Sequence, residues 1–250
     1  MNKIYAHNFF QEQKEKYRFV KNYCSGKILV CSSNQFFTYY STKILNEKCD
    51  KIVTYFSHNK KLTERTIDND STIKIKQMEE TITQLKNESF DSIISFETLV
   101  NGENFSDSLK KIYNLLRNDG ILIISILNKD VQLSNKLSDE LKEVCLTKEE
   151  FTSSLQSLFS EVNLFSQILY SNNRSKSDII KNFGKFRSIG ASILKKVDKN
   201  RNFYINNLQN TMKKIDGIKD NIVDISQEDF IPKKFLDNQS PFYLIAICKK

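Results

Sequence analysis

The sequence has few of the residues that interrupt secondary structure or bind metals. Its 250 residues include 6 glycines, 2 prolines, 2 histidines and no tryptophan. So few glycines and prolines leave little room for long flexible linkers, and we expect one domain with an insertion. With only His7 and His58 available, a histidine-based metal site is excluded, and we predict that no metal is bound.

Long apolar runs and cysteine motifs are also missing. No apolar run approaches the roughly 20 residues that a membrane-spanning helix needs. The first residues have no apolar stretch beside their charges, so no secretory signal is predicted. The five cysteines are odd in number, and no pair has the spacing of a metal site or a redox motif. We therefore expect reduced, mostly buried thiols in a cytoplasmic protein.

The net charge of +8 is concentrated in one stretch of the chain. Between Arg174 and Asp220 there are 12 basic and 4 acidic residues, which leaves 26 of each in the rest of the sequence. This asymmetry predicts a neutral core at 1–170, a basic helical insertion at 171–225 and a return to the core at 226–250. Aromatic residues among the basic ones, such as Phe183 and Phe186, suit nucleic-acid or membrane-surface contact. Their near-helical spacing is more often that of a stripe that faces the core, and we do not expect a nucleic-acid partner.

Outside the insertion, short apolar runs alternate with segments of helical spacing. Strands are predicted at 27–32, 51–56, 72–76, 91–96 and 120–127, and two more at 162–170 and 242–250. Helices are predicted at 35–46, after the fourth strand, and after Thr147, which forms a capping box with Glu150. This alternation predicts an α/β fold with a doubly wound, Rossmann-like parallel sheet. Such sheets bind ligands at the carboxyl ends of their strands, near the point where the strand order reverses.

Several phrases of the sequence resemble class I S-adenosylmethionine-dependent methyltransferases, particularly the branch that modifies small molecules and glycans. They are YRFVKNYCSGK (17–27), SFDSIISFETL (89–99), LLRNDG (115–120) and ILIISILNK (121–129). The resemblance covers roughly three quarters of the chain. It implies a seven-stranded methyltransferase sheet in which the last strand, 242–249, runs antiparallel beside the strand at 162–170.

The same resemblance implies where the cofactor S-adenosylmethionine would lie. In the family, the first strand ends in an acidic residue and a glycine-rich loop, which lets the backbone approach the cofactor. Here Val30 stands at the acidic position and Cys31 follows it. Ser32, Asn34 and Phe36 stand where the three glycines are expected. The cofactor loop is therefore degenerate.

A second substitution falls at the end of the second strand. Phe56 stands where the family has an acidic residue that accepts hydrogen bonds from the ribose hydroxyls. Such bonds are worth about 1.5–3 kcal/mol each, so losing two weakens binding by on the order of 10²–10⁴-fold. Glu79 stands where many members have an acid near the adenine amino group. Phe96 and Glu97 follow the fourth strand, where substrate and cofactor meet.

Glu97 is the one candidate for a general base in this region, since methyl transfer to an oxygen often requires a base to take the substrate proton. Both Glu79 and Glu97 also fit a simpler interpretation as solvated acids at a loop or helix start. Phe36 and Phe56 also fit as packed aromatic residues at strand ends.

Three functions remain open on the sequence alone. The degenerate loop favours a non-catalytic methyltransferase fold that serves as a scaffold or as the partner subunit of an active enzyme. The overall resemblance favours an active methyltransferase acting on a sugar, glycan or other small metabolite. The basic insertion favours a module that binds nucleic acid or an anionic surface.

Overall fold

The computed structural model describes residues 3–32, 41–56, 61–67, 73–77, 84–98, 105–130, 145–167, 230–236 and 241–250. Asn34, Phe36, Glu79 and most of the predicted domain boundaries, including the whole basic insertion, lie outside these ranges. The predictions made for them therefore stay predictions. Within these ranges no helix combines the length and the apolar character needed to cross a membrane.

Helices and ten strands account for most of the described residues. The helices are α1 (Lys3–Val20), α2 (Phe105–Leu115) and α3 (Lys148–Gln156), with a 3-10 turn at Lys21–Tyr23 and helical residues at 41–45. The strands are β1 (Gly26–Ser32), β2 (Cys49–Phe56), β3 (Lys61–Ile67), β4 (Ile73–Gln77), β5 (Phe90–Phe96), β6 (Leu116–Asn128), β7 (Cys145–Leu146), β8 (Glu161–Gln167), β9 (Lys233–Lys234) and β10 (Tyr243–Lys249).

All ten strands form one mixed sheet. Its order is β4-β3-β2-β1-β5-β6-β10-β8-β9, and β7 pairs with β6 outside this path. Strand β1 runs parallel to β2 and β5, and β5 runs parallel to β6. Strand β10 is antiparallel to both β6 and β8. The predicted Rossmann-like sheet with an antiparallel last strand is confirmed, with ten strands instead of seven.

The additional strands are short or polar, which is why the sequence does not predict them. Strands β7 and β9 have two residues each. Strand β3 reads KLTERTI and shows neither an apolar run nor a clean alternation. It pairs antiparallel with β2 and β4, so the strand predicted at 72–76 is the fourth along the chain and does not contact β2 directly.

Helices cover both faces of the sheet, because the parallel strands bury side chains on both sides. Strand β1 shows the division. Ile28 and Val30 pack in one apolar cluster with residues of α1, and Leu29 and Cys31 pack in the other with residues of α2 and α3. The result is three layers, helix, sheet and helix, as a doubly wound fold requires.

Two local features fix the ends of elements. The predicted capping box is confirmed: the Glu150 N–H donates to the Thr147 hydroxyl at 3.1 Å, and the Glu150 carboxylate accepts from the Thr147 N–H at 2.8 Å. Strand β1 begins at Gly26 with a φ of +63°. A Cβ there would lie 2.4 Å from an Asp91 carboxylate oxygen, so only glycine fits.

Candidate functional site

The switch point of the sheet lies between β1 and β5. Strand β1 continues to β2 on one side, and β5 continues to β6 on the other. Open α/β sheets bind ligands outside the carboxyl ends of the strands at this position. The carboxyl ends here are Ser32 of β1 and Phe96 of β5. Tyr243, the first residue of antiparallel β10, lies at the same edge because it pairs with Leu127 of β6.

Apolar packing dominates the end of β1. Val30 is fully buried, and Cys31 and Ser32 are buried with it. Burial raises the pKa of the Cys31 thiol to about 12, so this group stays protonated and unreactive near neutral pH. The backbone of Ser32 pairs with Phe56, which ends β2. The three predicted positions Cys31, Ser32 and Phe56 are therefore neighbours at one edge.

A hydroxyl from the segment after β5 bridges the switch point. The Thr98 side chain is buried, and its Oγ1 donates to the carbonyl oxygen of Cys31 at 3.4 Å. The same Oγ1 lies 2.7 Å from the Oγ of Ser95 on β5. The residue two positions after β5 is therefore linked by its side chain to the carboxyl ends of both β1 and β5.

Glu97, the predicted general base, follows β5 directly and has a left-handed backbone with a φ of 50°. Its N–H donates to the Ser125 carbonyl of β6 at 2.9 Å. One carboxylate oxygen, Oε1, accepts from the Lys16 ammonium at 2.6 Å and also from the Ser125 hydroxyl. The carboxylate is thus held by two donors from two different elements.

Lys16 of α1 points inward and its side chain is fully buried. Besides the bond to Glu97, its Nζ lies 3.8 Å from the centre of the Tyr243 ring and 5.3 Å from that of Phe96. Burial lowers the pKa of the Lys16 ammonium, although the neighbouring Glu97 and Glu12 raise it. A fully buried lysine is rare in proteins unless it is paired.

Strands β8 and β10 contribute Gln167 and Tyr243 to this cluster. Tyr243 pairs with Gln167 across the two strands, and the Gln167 side chain donates to the backbone carbonyls of Glu12 at 3.0 Å and Phe230 at 2.6 Å. Burial, followed by the charges of Glu97 and Glu12, raises the pKa of Tyr243 well above its ordinary value. The phenol therefore stays neutral.

Sequence reasoning located part of this site and missed the rest. It named Cys31, Ser32, Phe96 and Glu97, which the structure brings to one edge. It did not name Lys16, Thr98 or Tyr243. A signal for Lys16 exists in the helical spacing of Gln13, Lys16, Tyr17 and Val20, which share one stripe of α1 and are all buried. Among the described residues, no three His, Cys, Asp or Glu side chains are grouped as metal ligands.

Residues 57–173 match the family model described as a methyltransferase domain. This segment starts directly after β2, so β1 and the residues between β1 and β2 precede it. No protein of curated function matches the sequence.

Several solved structures are similar over nearly the whole chain. One is a SAM-dependent methyltransferase from Thermotoga maritima, a possible histamine N-methyltransferase. It has 11% identity and a TM-score of 0.49, and the match covers 97% of this chain and 92% of that chain. A putative methyltransferase from Listeria monocytogenes has 10% identity, a TM-score of 0.48 and coverage of 100% and 99%. The plantazolicin methyltransferase BpumL in complex with SAH has 15% identity, a TM-score of 0.47 and coverage of 98% and 84%.

Proposed function

We propose that this chain, a member of the class I S-adenosylmethionine-dependent methyltransferase superfamily, uses the fold as a non-catalytic scaffold or as the partner subunit of an active enzyme. The observation that carries the proposal is the bridge across the switch point. The Thr98 hydroxyl bonds to the Cys31 carbonyl and to Ser95, so a side chain of the protein ties the carboxyl ends of β1 and β5 together where a cofactor would bind.

The residues around this crevice do not fit S-adenosylmethionine. Where the family has an acid, β1 has Val30, which is fully buried in an apolar cluster. The neighbouring strand β2 ends in Phe56, which has no acceptor for ribose hydroxyls. Two cofactor contacts on two adjacent strands are thus replaced by groups without hydrogen-bonding capacity. We therefore derive no catalytic step through the cofactor.

The state of Glu97 supports the same conclusion. A general base must be free to accept a proton from the substrate. Here Oε1 already accepts from the Lys16 ammonium at 2.6 Å and from the Ser125 hydroxyl. Both donors would have to be displaced before this oxygen could take a proton from a substrate.

Calorimetric titration with S-adenosylmethionine and S-adenosylhomocysteine tests the proposal. We expect no binding heat with the wild-type protein up to millimolar ligand, with circular dichroism showing that the protein is folded. Binding at micromolar affinity would overturn the proposal. The Phe56→Asp variant is the matched comparison, since it restores the missing ribose acceptor. Heat with this variant alone would attribute the loss to residue 56 and support the proposal.

One observation favours a second candidate, an active methyltransferase acting on a sugar, glycan or other small metabolite. Glu97 has a φ of 50° at the carboxyl end of β5, and strained non-glycine residues concentrate at functional sites. Micromolar binding of the cofactor would put this candidate first. Glu97→Gln would then be the first variant, with an expected loss of methyl transfer and unchanged cofactor binding.

A further inference from the structure

The surroundings of the Lys16 ammonium have the composition of a cation-binding site. The group lies 2.6 Å from the Glu97 carboxylate, 3.8 Å from the centre of the Tyr243 ring and 5.3 Å from that of Phe96, and the buried Glu12 of the same helix is a second acid nearby. A negative charge combined with aromatic faces within about 6 Å is the chemistry with which proteins recognise alkylammonium ligands. Tyr17 packs against Phe96 with ring centroids 5.0 Å apart and extends the aromatic wall.

The pocket and its occupant belong to different parts of the fold. Phe96 and Glu97 come from the carboxyl end of β5, and Tyr243 comes from the first residue of β10. Ser125 of β6 holds the carboxylate in place. The strands β5 and β10 and the residue after β5 therefore supply the rings and the carboxylate, while the occupant is a side chain of helix α1.

Stability alone does not account for this arrangement. Removing two charges from water costs several kcal/mol per ion, and replacing a buried ion pair by packed apolar residues is often neutral or stabilising. The rest of the buried α1 stripe near β5 includes Tyr17 and Val20, which pack without charge. An apolar residue at position 16 opposite an uncharged residue 97 would satisfy packing equally well.

We propose that Phe96, Glu97 and Tyr243 form a binding site for the alkylammonium group of a ligand, and that the Lys16 side chain occupies this site in the free protein. A ligand with a primary or methylated ammonium group binds when Lys16 is displaced toward solvent. The site lies at the carboxyl edge of the sheet and does not require S-adenosylmethionine. It therefore goes beyond the scaffold function and stands or falls separately from it.

Chemical rescue of a vacated site is the first test. Lys16→Ala removes three methylenes and the ammonium, and propylammonium replaces these atoms. We expect propylammonium chloride to raise the melting temperature of Lys16→Ala in a saturable manner, and propanol at the same concentration to have a smaller effect. The wild-type protein should respond to the amine only at higher concentrations, because Lys16 already occupies the site. Equal effects of the amine and the alcohol on Lys16→Ala would overturn the proposal, because they would indicate a plain apolar cavity.

The double variant Lys16→Ala/Glu97→Gln is the control for charge. It keeps the vacated space and the two rings but removes the carboxylate. We expect the apparent affinity for propylammonium to fall about tenfold or more, since a charge-assisted bond is replaced by a weaker one. Unchanged affinity would show that the amine binds elsewhere, which would also contradict the proposal.

A measurement on the wild-type protein covers the case in which Lys16→Ala fails to fold. In the protein without ligand the Lys16 side chain is fully buried. Pulse acetylation, read by mass spectrometry, should therefore leave it unmodified. Propyltrimethylammonium, which does not react with the acetylating reagent, should raise acetylation at Lys16 about tenfold as it displaces the side chain. Sodium chloride at equal ionic strength is the control. Continued protection of Lys16 at all probe concentrations would overturn the proposal.

Neither measurement contains S-adenosylmethionine. If the amine site fails its tests, the calorimetric titration with S-adenosylmethionine is unaffected. If the cofactor binds, the results of the rescue and acetylation experiments are likewise unaffected.

Discussion

Two ion pairs, one at each end of strand β5, differ in their surroundings. At the amino edge of the sheet, Asp91 pairs with Arg117 at 2.7 Å, and the side chains are 28% and 52% exposed. At the carboxyl edge, Glu97 pairs with Lys16 at 2.6 Å, and the side chains are 11% and 0% exposed. The two distances are nearly equal, so the two pairs differ mainly in how far their side chains are exposed to solvent.

The comparison separates an edge with partly exposed charges from an edge with buried charges. At the amino edge both charged side chains are partly exposed to solvent. Asp91 also accepts the Lys27 N–H at 2.8 Å, next to Gly26, so its position depends on a contact with the backbone. At the carboxyl edge the charges are buried and each depends on the other. Exposed pairs contribute little to stability, whereas breaking a buried pair leaves an uncompensated charge. Buried charge at a ligand-binding edge is therefore the better mark of function.

The largest effect should come from Lys16→Met. Methionine is unbranched and of similar length, so the change removes the charge and keeps most of the packing. We expect a loss of about 3–5 kcal/mol in the free energy of unfolding, because Glu97 stays buried without its partner. Urea denaturation followed by circular dichroism measures it.

The double variant Lys16→Met/Glu97→Gln is the control for this prediction. It removes both charges, and we expect it to be more stable than Lys16→Met alone. If the effects of the two single changes simply add, the two groups are not coupled and the contrast between the edges fails.

The second largest effect should come from Gly26→Ala at the amino edge. The φ of +63° disfavours a Cβ, and the new atom would lie 2.4 Å from the Asp91 carboxylate. We expect a loss of about 2 kcal/mol, from strain and from displacement of Asp91. In an Asp91→Ala background the clash disappears, so the same substitution should cost only about 1 kcal/mol. Equal costs in both backgrounds would mean that Asp91 does not fix this turn.

How far the sequence predicts the fold depends on the strength of local patterns. Strand β6 and strand β10 are long apolar runs, and both are predicted within a few residues. Asn118, Asp119 and Gly120 form a sequence typical of a turn, and the structure departs from regular pairing there. The register between β5 and β6 shifts between Leu116 and Ile121, and Asp119 has a left-handed φ of 61°, although β6 runs from Leu116 to Asn128.

The site is less predictable because its parts are distant in the sequence. Glu97 follows a predicted strand, so the rule for α/β sheets finds it. Lys16 is 81 residues away from it and lies on a helix with many charges. Nothing in a single sequence distinguishes this lysine as the buried one, apart from its spacing with Tyr17 and Val20. Long-range partners of this kind require the three-dimensional fold.

A smaller effect should come from Thr98→Val at the switch point. Valine has nearly the shape of threonine but lacks the hydroxyl that contacts Cys31 and Ser95. We expect a loss of about 1 kcal/mol, the typical net contribution of a buried hydrogen bond. Thr98→Ser keeps the hydroxyl and is the matched control, so its hydrogen bonds should survive. A Thr98→Val variant as stable as the wild type would indicate that these hydrogen bonds contribute nothing to holding the ends of β1 and β5 together.

The smallest effect should come from Arg117→Ala. The Arg117 side chain is half exposed, and its partner Asp91 retains the Lys27 N–H as a donor. Solvent screening should therefore limit the loss to about 0.5 kcal/mol, and the loss should vanish in 1 M salt, where the Debye length is about 3 Å. Lys16→Met should keep nearly its full cost in the same salt, because water and ions do not reach the buried pair. If salt reduces both losses equally, burial is not what distinguishes the two edges, and the case for a functional carboxyl edge loses its physical basis.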